Sequence, residues 1–314
     1  RYRSANAPAK RAPAGPDRTG EPVPEGIALS STATATITLS IERGASMRIV
    51  MRVLCAIGLA AGAWAIAGPA TAETVLITGA NQGIGLEFAK QYAARGWTVI
   101  ATHRRSSTPE TLAELAKRHP NVRVERMDVT DHAQIDALAA KLKGEPIDIL
   151  INNAALIRAA PLNDRAGNAN QMFGTLDYEL FDAFMRTNVA GPLKVCEAFV
   201  ENVKASKLRK IVAISSAAGI ISQLPRSADH YWYRISKAAL NSAMRLLTVD
   251  LKDEGITVVM FHPGGVQVES FGDIKLPGAL TPEEAIGRMI RTIDGLTPAD
   301  SGRFLHNDGR DVPW

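Results

Sequence analysis

Predicted strands and helices alternate along residues 73–314, and this alternation constrains the fold more than any other feature. The apolar runs VLITG, IDILI, KIVAIS and TVVMF lack the polar–apolar alternation of a half-exposed strand. Such runs are typical of parallel strands that helices cover on both faces. Together with the intervening helices they predict an α/β fold with a single doubly wound parallel sheet of the Rossmann type. The predicted strands span 74–78, 97–102, 122–127, 147–151, 210–214, 257–261 and 303–305, and the predicted helices span 84–95, 109–118, 132–142, 178–204, 232–252 and 282–293.

The segment 1–72 has a different composition and is excluded from this fold. Residues 1–46 are rich in Ala, Pro, Arg, Ser and Thr without a sustained period, which predicts disorder. From Met47 a short basic segment, an apolar run from Val53 to Gly68 and a small-x-small site ending at Ala72 are typical of a secretory signal peptide. An uncleaved N-terminal anchor or a mistranslated upstream region is the alternative. The domain is therefore expected at 73–314, and it is expected to be periplasmic if the 47–72 segment works as a signal and cytoplasmic otherwise.

Charge and cysteine content exclude several classes of function. The net charge of +4 comes entirely from residues 1–72, so residues 73–314 carry equal numbers of acidic and basic side chains. A nucleic-acid partner is therefore not expected. The two cysteines, Cys55 and Cys196, match no metal-ligand spacing, so neither a metal site nor a disulfide is expected.

A glycine-rich turn, TGANQGIG, follows the first predicted strand and opens the first helix. Glycines in such a turn allow a ligand to approach closely, and the helix N-terminus offers free N–H groups and a positive dipole end to a pyrophosphate. A tight structural turn is the alternative, but the position inside a strand–helix–strand unit favours dinucleotide binding. The predicted cofactor contacts in this turn are Thr78, Gly79, Asn81, Gln82, Gly83, Ile84 and Gly85.

The end of the second predicted strand indicates which dinucleotide is bound. An acidic residue there would bind the ribose hydroxyls of NAD(H), but the sequence reads THRR. The planar guanidinium groups of Arg104 and Arg105 suit a 2′-phosphate, so NADP(H) is favoured over NAD(H). A solvated arginine pair is the alternative. After the third strand, Asp128 is either an adenine contact or a helix cap.

The stretch HYWYRISK places Tyr233 and Lys237 four residues apart on one helix face. An ammonium group beside a phenol is expected to lower the phenol pKa, which brings the tyrosine closer to acid–base function. Tyr231 has Ile235 at the same spacing instead. The segment Ser215–Gly219 follows the preceding predicted strand, where open sheets place their ligands, and a serine hydroxyl there could donate to a substrate carbonyl.

The ordered segments TGANQGIG, Asp128–Val129, INNAA, TNVAG, ISSAAG, YRISK and HPGGV resemble the short-chain dehydrogenase/reductase family over essentially all of 73–314. Within that family, YRISKAALN and the final SGRFLHNDGRDVPW are similar to the sniffer and C-factor-like carbonyl reductase branch. Seven ordered motifs make the resemblance specific.

The resemblance implies roles for individual residues. Tyr233 would be the general acid that protonates a carbonyl oxygen, and Lys237 would lower its pKa and bind the nicotinamide ribose. Ser216 would polarise the carbonyl, Asn188 would hold a water molecule in the proton relay, and Asn153 would line the cofactor cleft. Further implied cofactor contacts are Asp128, Val129, Tyr233, Lys237, Pro263, Gly264 and Val266.

Three positions depart from the family pattern. Ala155 replaces a common glycine, Val268 replaces a threonine that would bind the nicotinamide amide, and Gln82 stands where NADP enzymes often have arginine. These departures affect the cofactor side and leave the catalytic residues intact. The segment 264–280 is the expected specificity loop, and its apolar side chains suggest an apolar pocket.

The expected function is that of an NADP(H)-dependent oxidoreductase, which interconverts a carbonyl and an alcohol on a small, apolar substrate. Hydride transfer would be accompanied by proton transfer from the tyrosine. A cofactor-binding sensor of the C-factor type and an NAD-dependent alcohol dehydrogenase are the alternatives. The sequence does not identify the substrate, and it leaves open assembly as a homodimer or homotetramer.

Overall fold

Seven parallel strands form one sheet in the order β3-β2-β1-β4-β5-β6-β7 in the computed structural model. The structure describes residues 72–158, 171–225, 229–272 and 274–314, so the predicted disordered segment and nearly all of the predicted signal segment lie outside the described residues. The strands are β1 Thr74–Ile77, β2 Thr98–His103, β3 Val122–Arg126, β4 Ile149–Asn152, β5 Lys210–Ile214, β6 Thr257–His262 and β7 Phe304–His306. The predicted α/β fold with a doubly wound parallel sheet is confirmed.

Helices cover both faces of this sheet. They are α1 Gly83–Ala94, α2 Glu110–Arg118, α3 His132–Lys141, α4 Leu180–Met185, α5 Gly191–Lys204, α6 Tyr231–Asp250 and α7 Pro282–Gly295. Short 3-10 turns at Ala217–Gly219, Lys252–Glu254, Glu269–Phe271 and Pro298–Asp300 complete the described part. Within that part, no helix is long and apolar enough to span a membrane.

Strand β1 shows why the apolar runs do not alternate. Val75 and Ile77 belong to the core cluster that α1, α2 and α7 cover, which includes Phe88 from α1. Leu76, between them, points to the opposite cluster, which α3, α5 and α6 cover. Because both faces of the sheet are buried, each of the three buried positions from Val75 to Ile77 carries an apolar side chain.

The predicted helix 178–204 is interrupted in the structure. A π-helical turn, Arg186–Ala190, separates α4 from α5. Pro192, at the second position of α5, lacks the N–H that would donate to the Asn188 carbonyl in a regular α-helix. The chain therefore widens at this point, and such π-bulges are frequent at functional sites.

The strand order reverses between β1 and β4, where both neighbours of β1 run parallel to it. In open α/β sheets, ligands bind in the crevice at the carboxyl ends of the strands where the order reverses. The carboxyl end of β1 leads directly into the glycine-rich turn, and the carboxyl end of β4 leads into Asn153. The topology therefore places the predicted binding residues around this crevice.

Candidate active site

A cavity of about 1130 Å³ lies at the carboxyl ends of β1, β4, β5 and β6. Almost all of the residues predicted from the sequence to bind a cofactor or take part in catalysis line it. These residues are Gly79, Asn81, Gln82, Gly83, Ile84, Gly85, Arg104, Arg105, Asp128, Val129, Asn153, Ser216, Tyr233, Lys237, Pro263, Gly264 and Val266. Two predicted residues, Thr78 and Asn188, lie behind the lining instead. The fold therefore gathers segments that are as distant in sequence as Gly79 and Val266.

The glycine-rich turn needs glycine at three positions for two different reasons. Gly79 and Gly83 have φ values of +66° and +55°, in the left-handed region that other residues rarely adopt. At Gly85 the limit is space, since a Cβ there would lie 2.4 Å from Asn153 Nδ2 and 2.4 Å from the Gly79 carbonyl oxygen. The backbone is thus open to a ligand on one side and closely packed on the other.

Asn153 and Thr78 tie this turn to the end of β4. Asn153 Nδ2 donates to the carbonyl oxygens of Thr78, at 2.9 Å, and Gly79, at 3.1 Å. Thr78 Oγ1 accepts from the backbone N–H groups of Asn153 and Ala154, each at 3.0 Å. Thr78 is buried, so its side chain holds the turn in place and does not face the cavity.

The end of the cavity beyond β2 is basic. Arg104 and Arg105 line it and are exposed, and no acidic residue follows β2. His103 is buried, and burial together with Arg126 and Arg105 lowers its pKa, so the two arginines are the cationic groups of this turn. Exposed guanidinium groups at the cavity wall can meet an anionic group of a ligand.

Asp128 lines the same end, but it does not cap the following helix. The cap of α3 is Asp131, whose carboxylate accepts from the backbone N–H of Gln134 at 3.2 Å. Asp128 Oδ1 instead accepts from the backbone and hydroxyl groups of Thr130, at 2.9 Å and 2.8 Å. The helix-cap interpretation of Asp128 is therefore wrong, and its adenine contact stays a prediction.

Tyr233 and Lys237 reach the other end of the cavity from α6. Lys237 Nζ lies 5.8 Å from the centroid of the Tyr233 ring and donates to the Ile214 carbonyl oxygen at 2.8 Å. Tyr231 is not part of the lining. Trp232 packs between Tyr178 and Phe181, with ring centroids 5.4 Å and 5.5 Å away, so it belongs to the packing at the helix start.

The two side chains have shifted pKa values in this structure, and burial is the main cause of both shifts. Burial lowers the pKa of Lys237 to about 7, because the residue is only 2% exposed. Burial also raises the pKa of Tyr233, and the hydrogen bond with Ser216 opposes that effect. A lysine that is partly neutral at pH 7 stabilises a phenolate only weakly, so the predicted lowering of the tyrosine pKa requires Lys237 to regain its charge.

The two serines that follow β5 point in different directions. Ser215 Oγ donates to Asn241 Oδ1 at 2.5 Å and is buried. Ser216 Oγ accepts from the Ala218 backbone N–H at 3.1 Å, and the Ser216 hydroxyl also forms a hydrogen bond with Tyr233. Ser216 is therefore the serine that can donate a hydrogen bond into the cavity.

A sequence model described as short chain dehydrogenase matches residues 73–276. The chain belongs to the short-chain dehydrogenase family. A curated relative, the 1-hydroxy-2-glutathionyl-2-methyl-3-butene dehydrogenase of Rhodococcus sp. (strain AD45), is 34% identical over 247 residues, which cover 77% of this chain and 100% of the relative. The C-signal protein of Myxococcus xanthus is 36% identical over 179 residues, which cover 57% of this chain and 99% of that protein.

Solved structures give the same result. NADPH-bound carbonyl reductase from chicken fatty liver superimposes with a TM-score of 0.68 at 32% identity, covering 77% of this chain and 99% of that one. The carbonyl reductase Sniffer of D. melanogaster superimposes with a TM-score of 0.67 at 27% identity, covering 77% and 100%. The resemblance to the sniffer and C-factor-like branch is confirmed, and this short-chain dehydrogenase is an oxidoreductase.

Asn188 occupies the π-helical turn and is 1% exposed. Its Nδ2 donates to the Leu156 carbonyl oxygen at 2.8 Å and to Ser236 Oγ at 2.9 Å, and its Oδ1 accepts from the Leu156 N–H at 2.7 Å. In this short-chain dehydrogenase the side chain therefore joins the chain after β4 to α6. Its part in a proton relay stays a prediction.

Gln171 is a residue of the site that the sequence analysis missed. It is fully buried, and its Oε1 accepts from the Tyr233 backbone N–H at 3.2 Å, while its carbonyl oxygen accepts from the Tyr231 N–H at 3.0 Å. These contacts satisfy backbone N–H groups in the first turn of α6. The N-cap residue His230 makes no side-chain cap bond, so Gln171 takes over that role. The capping residue precedes α4, far upstream of α6 in the chain, so no local pattern could have revealed it.

His262 was also missed, although it opens the HPGGV segment. It lines the cavity at the end of β6, and its ring lies 5.5 Å from that of His306. Burial and the neighbouring His306 lower its pKa to about 4, so His262 is neutral at physiological pH.

Cys196 lies in the core of the domain. Cys196 is a buried free thiol whose Sγ accepts from Asn152 Nδ2 at 3.2 Å, and burial raises its pKa to about 12. Within the described part of the chain, no group of three or more His, Cys, Asp and Glu side chains could hold a metal ion.

Proposed function

We propose that this short-chain dehydrogenase uses NADP(H) to interconvert a carbonyl and an alcohol on a small, apolar substrate. The observation that carries the proposal is one cavity with two chemically different ends. Arg104 and Arg105 line one end, and Ser216, Tyr233 and Lys237 line the other. The glycine-rich turn lies between them, which is the arrangement that a dinucleotide with a reactive ring at one end requires.

The residues present fit a phosphorylated dinucleotide. The glycine-rich turn lines the cavity and carries the N-terminus of α1, whose backbone N–H groups suit a pyrophosphate. The exposed arginines after β2 would hold the 2′-phosphate that distinguishes NADP(H) from NAD(H). NADPH bound to the chicken carbonyl reductase, and NADP bound to a similar short-chain dehydrogenase/reductase from Burkholderia multivorans, support this preference.

When bound, the nicotinamide would supply or accept the hydride, and the protein would move the proton. In the direction of reduction, Tyr233 would donate its phenolic proton to the carbonyl oxygen. Ser216 would donate a second hydrogen bond to that oxygen, since its own acceptor position is fixed by the Ala218 N–H. Lys237, in its protonated form, would stabilise the phenolate that Tyr233 becomes.

Apolar side chains in the cavity wall suggest the substrate class. They include Ile157, Val266, Phe271 and Leu276. Such a wall favours an apolar body around the reacting carbonyl, and the hydroxyl groups of Ser216 and Tyr233 would orient the oxygen.

NADPH oxidation against a panel of aldehydes, ketones and quinones tests this function. Saturable oxidation with at least one apolar carbonyl compound is expected. NADPH binding without turnover on every member of the panel would favour the alternative, a cofactor-binding sensor of the C-factor type. Similarity to the C-signal protein keeps this alternative open, whereas the complete Ser, Tyr and Lys set supports catalysis.

Export and assembly are separate proposals that rest on the sequence. We propose that the segment from Met47 to Ala72 acts as a signal peptide, which would place the domain outside the cytoplasm. Fractionation of cells that express the chain from Met47, with N-terminal sequencing of the product, tests this. A mature N-terminus at Glu73 is expected, and an uncut cytoplasmic product would contradict export. Size-exclusion chromatography with light scattering would distinguish a homodimer from a homotetramer.

A further inference from the structure

The carboxylate of Glu269 contacts the glycine-rich turn. Its Oε2 accepts a hydrogen bond from the backbone N–H of Gly83 at 3.0 Å. Gly83 is the first residue of α1, so this N–H belongs to the free donors at the positive end of the helix dipole. Glu269 thus places a negative charge at the position where a cofactor pyrophosphate is expected.

The approach of Glu269 to Gly83 involves more than one side chain. Val268, the preceding residue, packs on the same turn, since its Cγ1 lies 3.5 Å from the position of a Cβ on Gly83. Phe271 is the last residue of the 3-10 turn Glu269–Phe271. The Cζ atom of Arg158 lies over the Phe271 ring, 5.6 Å from the ring centroid. The turn therefore touches both the β1 side and the β4 side of the cavity.

The chain that carries this turn is braced at its base. The Gln267 N–H donates to the Leu280 carbonyl oxygen at 2.9 Å, and the Leu280 N–H donates to the Gly265 carbonyl oxygen at 2.9 Å. The Gln267 side chain donates to the Ile274 carbonyl oxygen at 2.8 Å and accepts from the Leu276 N–H at 3.0 Å. These hydrogen bonds hold the two ends of the segment together and keep the Glu269–Phe271 turn close to α1.

We propose that Glu269 is an internal competitor of the cofactor pyrophosphate, and that it must leave the Gly83 N–H before a dinucleotide binds fully. This inference rests on the proposed function. The Glu269 carboxylate and the pyrophosphate compete because both require the Gly83 N–H and the positive end of the α1 dipole. Their negative charges would also repel each other if both groups lay at this helix end. Glu269 therefore weakens cofactor binding and couples it to a movement of the Glu269–Phe271 turn.

Hydrogen exchange and cofactor titration on the full chain test the proposal. In Glu269→Ala, without cofactor, the Gly83 amide is expected to exchange faster than in the wild type. NADPH, titrated by its fluorescence, is expected to bind roughly two- to fivefold more tightly, as the modest strength of a carboxylate at an exposed helix N-terminus implies. Glu283→Ala, which removes an exposed carboxylate from the first turn of α7, should change neither quantity.

The outcomes separate this inference from the proposed function. Unchanged exchange at Gly83 in Glu269→Ala overturns the contact. Faster exchange with unchanged NADPH affinity overturns the competition, while the proposed function stands because the wild type still binds NADPH. A wild type that binds no NADPH overturns the proposed function, and the exchange measurement still reports whether the contact exists. Glu269→Gln, which keeps the shape of the side chain and removes its charge, should also bind NADPH more tightly than the wild type does.

Discussion

The two ends of the cavity are built in different ways. The cofactor end uses short segments that directly follow β1, β2 and β4, and Asn153 ties the first of these to the last through hydrogen bonds of 2.9 Å and 3.1 Å. The catalytic end depends on α6, whose first turn is held by Gln171 and whose Lys237 is held by Ile214. At the cofactor end the functional residues thus lie in the turns themselves, whereas at the catalytic end Tyr233 and Lys237 lie on a helix that other segments hold in place.

This difference predicts different sensitivities to substitution. At the cofactor end, a changed side chain should alter binding, because the backbone of the glycine-rich turn is fixed on its far side. At the catalytic end, a changed side chain should alter turnover, because the positions of Tyr233 and Ser216 depend on several elements at once. Four substitutions test whether the two ends can be separated in this way.

Tyr233→Phe should have the largest effect and should act on turnover alone. Removing a general acid costs about a hundred- to ten-thousandfold in rate, so kcat should fall by that factor. The dissociation constant of NADPH should stay close to that of the wild type, because the phenyl ring keeps its packing over Lys237. Steady-state kinetics and fluorescence titration measure the two quantities.

Tyr231→Phe is the matched control for this substitution. Tyr231 lies on the same helix two residues earlier and is not part of the lining. Its loss of a hydroxyl should leave kcat nearly unchanged. An equal loss of activity in the two variants would show that the spacing argument selected the wrong tyrosine.

Arg104→Ala should act on the opposite end. Loss of charge-assisted hydrogen bonds to a 2′-phosphate is expected to weaken NADPH binding by roughly ten- to a hundredfold. NADH, which lacks that phosphate, should bind the variant and the wild type about equally, and kcat at saturating NADPH should change little. Equal weakening for the two cofactors would place Arg104 away from the 2′-phosphate and would remove the distinction between the two ends.

Most of the residues that line the cofactor end of the cavity could be predicted from the sequence, while their contacts with a cofactor stay predictions. Its signals are local: the glycines at 79, 83 and 85, the missing acid after β2, and Asn153 directly after β4. The structure adds the physical reasons, such as the 2.4 Å approach to Asn153 Nδ2 that excludes a side chain at Gly85. One local interpretation at this end was wrong, because Asp131 rather than Asp128 caps α3.

The catalytic end could be predicted only in part. The four-residue spacing selects Tyr233 and Lys237, but burial, which sets the pKa of each, depends on the packing of the whole sheet. Glu269 and Gln171 were missed because each acts on a residue far away in the chain, at Gly83 and Tyr233. Pro192 stood in the sequence, yet the π-helical turn that it accompanies was predicted as ordinary helix.

Lys237→Met should change how stability depends on pH. The folded-state pKa of Lys237 is about 7, below its ordinary value of 10.5, so the unfolded chain binds a proton that the folded chain releases in that window. The free energy of unfolding of the wild type should therefore rise with pH between about 7 and 10, by about 1.4 kcal/mol per pH unit at most. Below pH 7 both states are protonated, and the cost of the buried charge is present in full.

Urea unfolding of the cofactor-free protein at several pH values measures this effect. Subtracting the Lys237→Met profile removes the contribution of the titrating groups that do not interact with Lys237, since methionine keeps a long apolar side chain in the same site. The free energy of unfolding of the wild type, measured relative to that of the variant, should rise from pH 7 to pH 10. A difference that is constant over this range would mean that Lys237 keeps its proton in the folded state, and that it can stabilise a phenolate before any cofactor binds.

Gln171→Met should have the smallest effect, and it tests the link between the helix cap and catalysis. Methionine fills a similar volume but cannot accept the Tyr233 N–H, so the free energy of unfolding should fall by about 1 kcal/mol, as for other lost caps. If the cap also fixes the first turn of α6, kcat should fall severalfold while the dissociation constant of NADPH stays unchanged. Gln91→Met, which removes a glutamine that joins α1 to α7, should leave kcat unaltered. A loss of stability without a loss of kcat would show that the cap at the start of α6 does not position Tyr233 for catalysis.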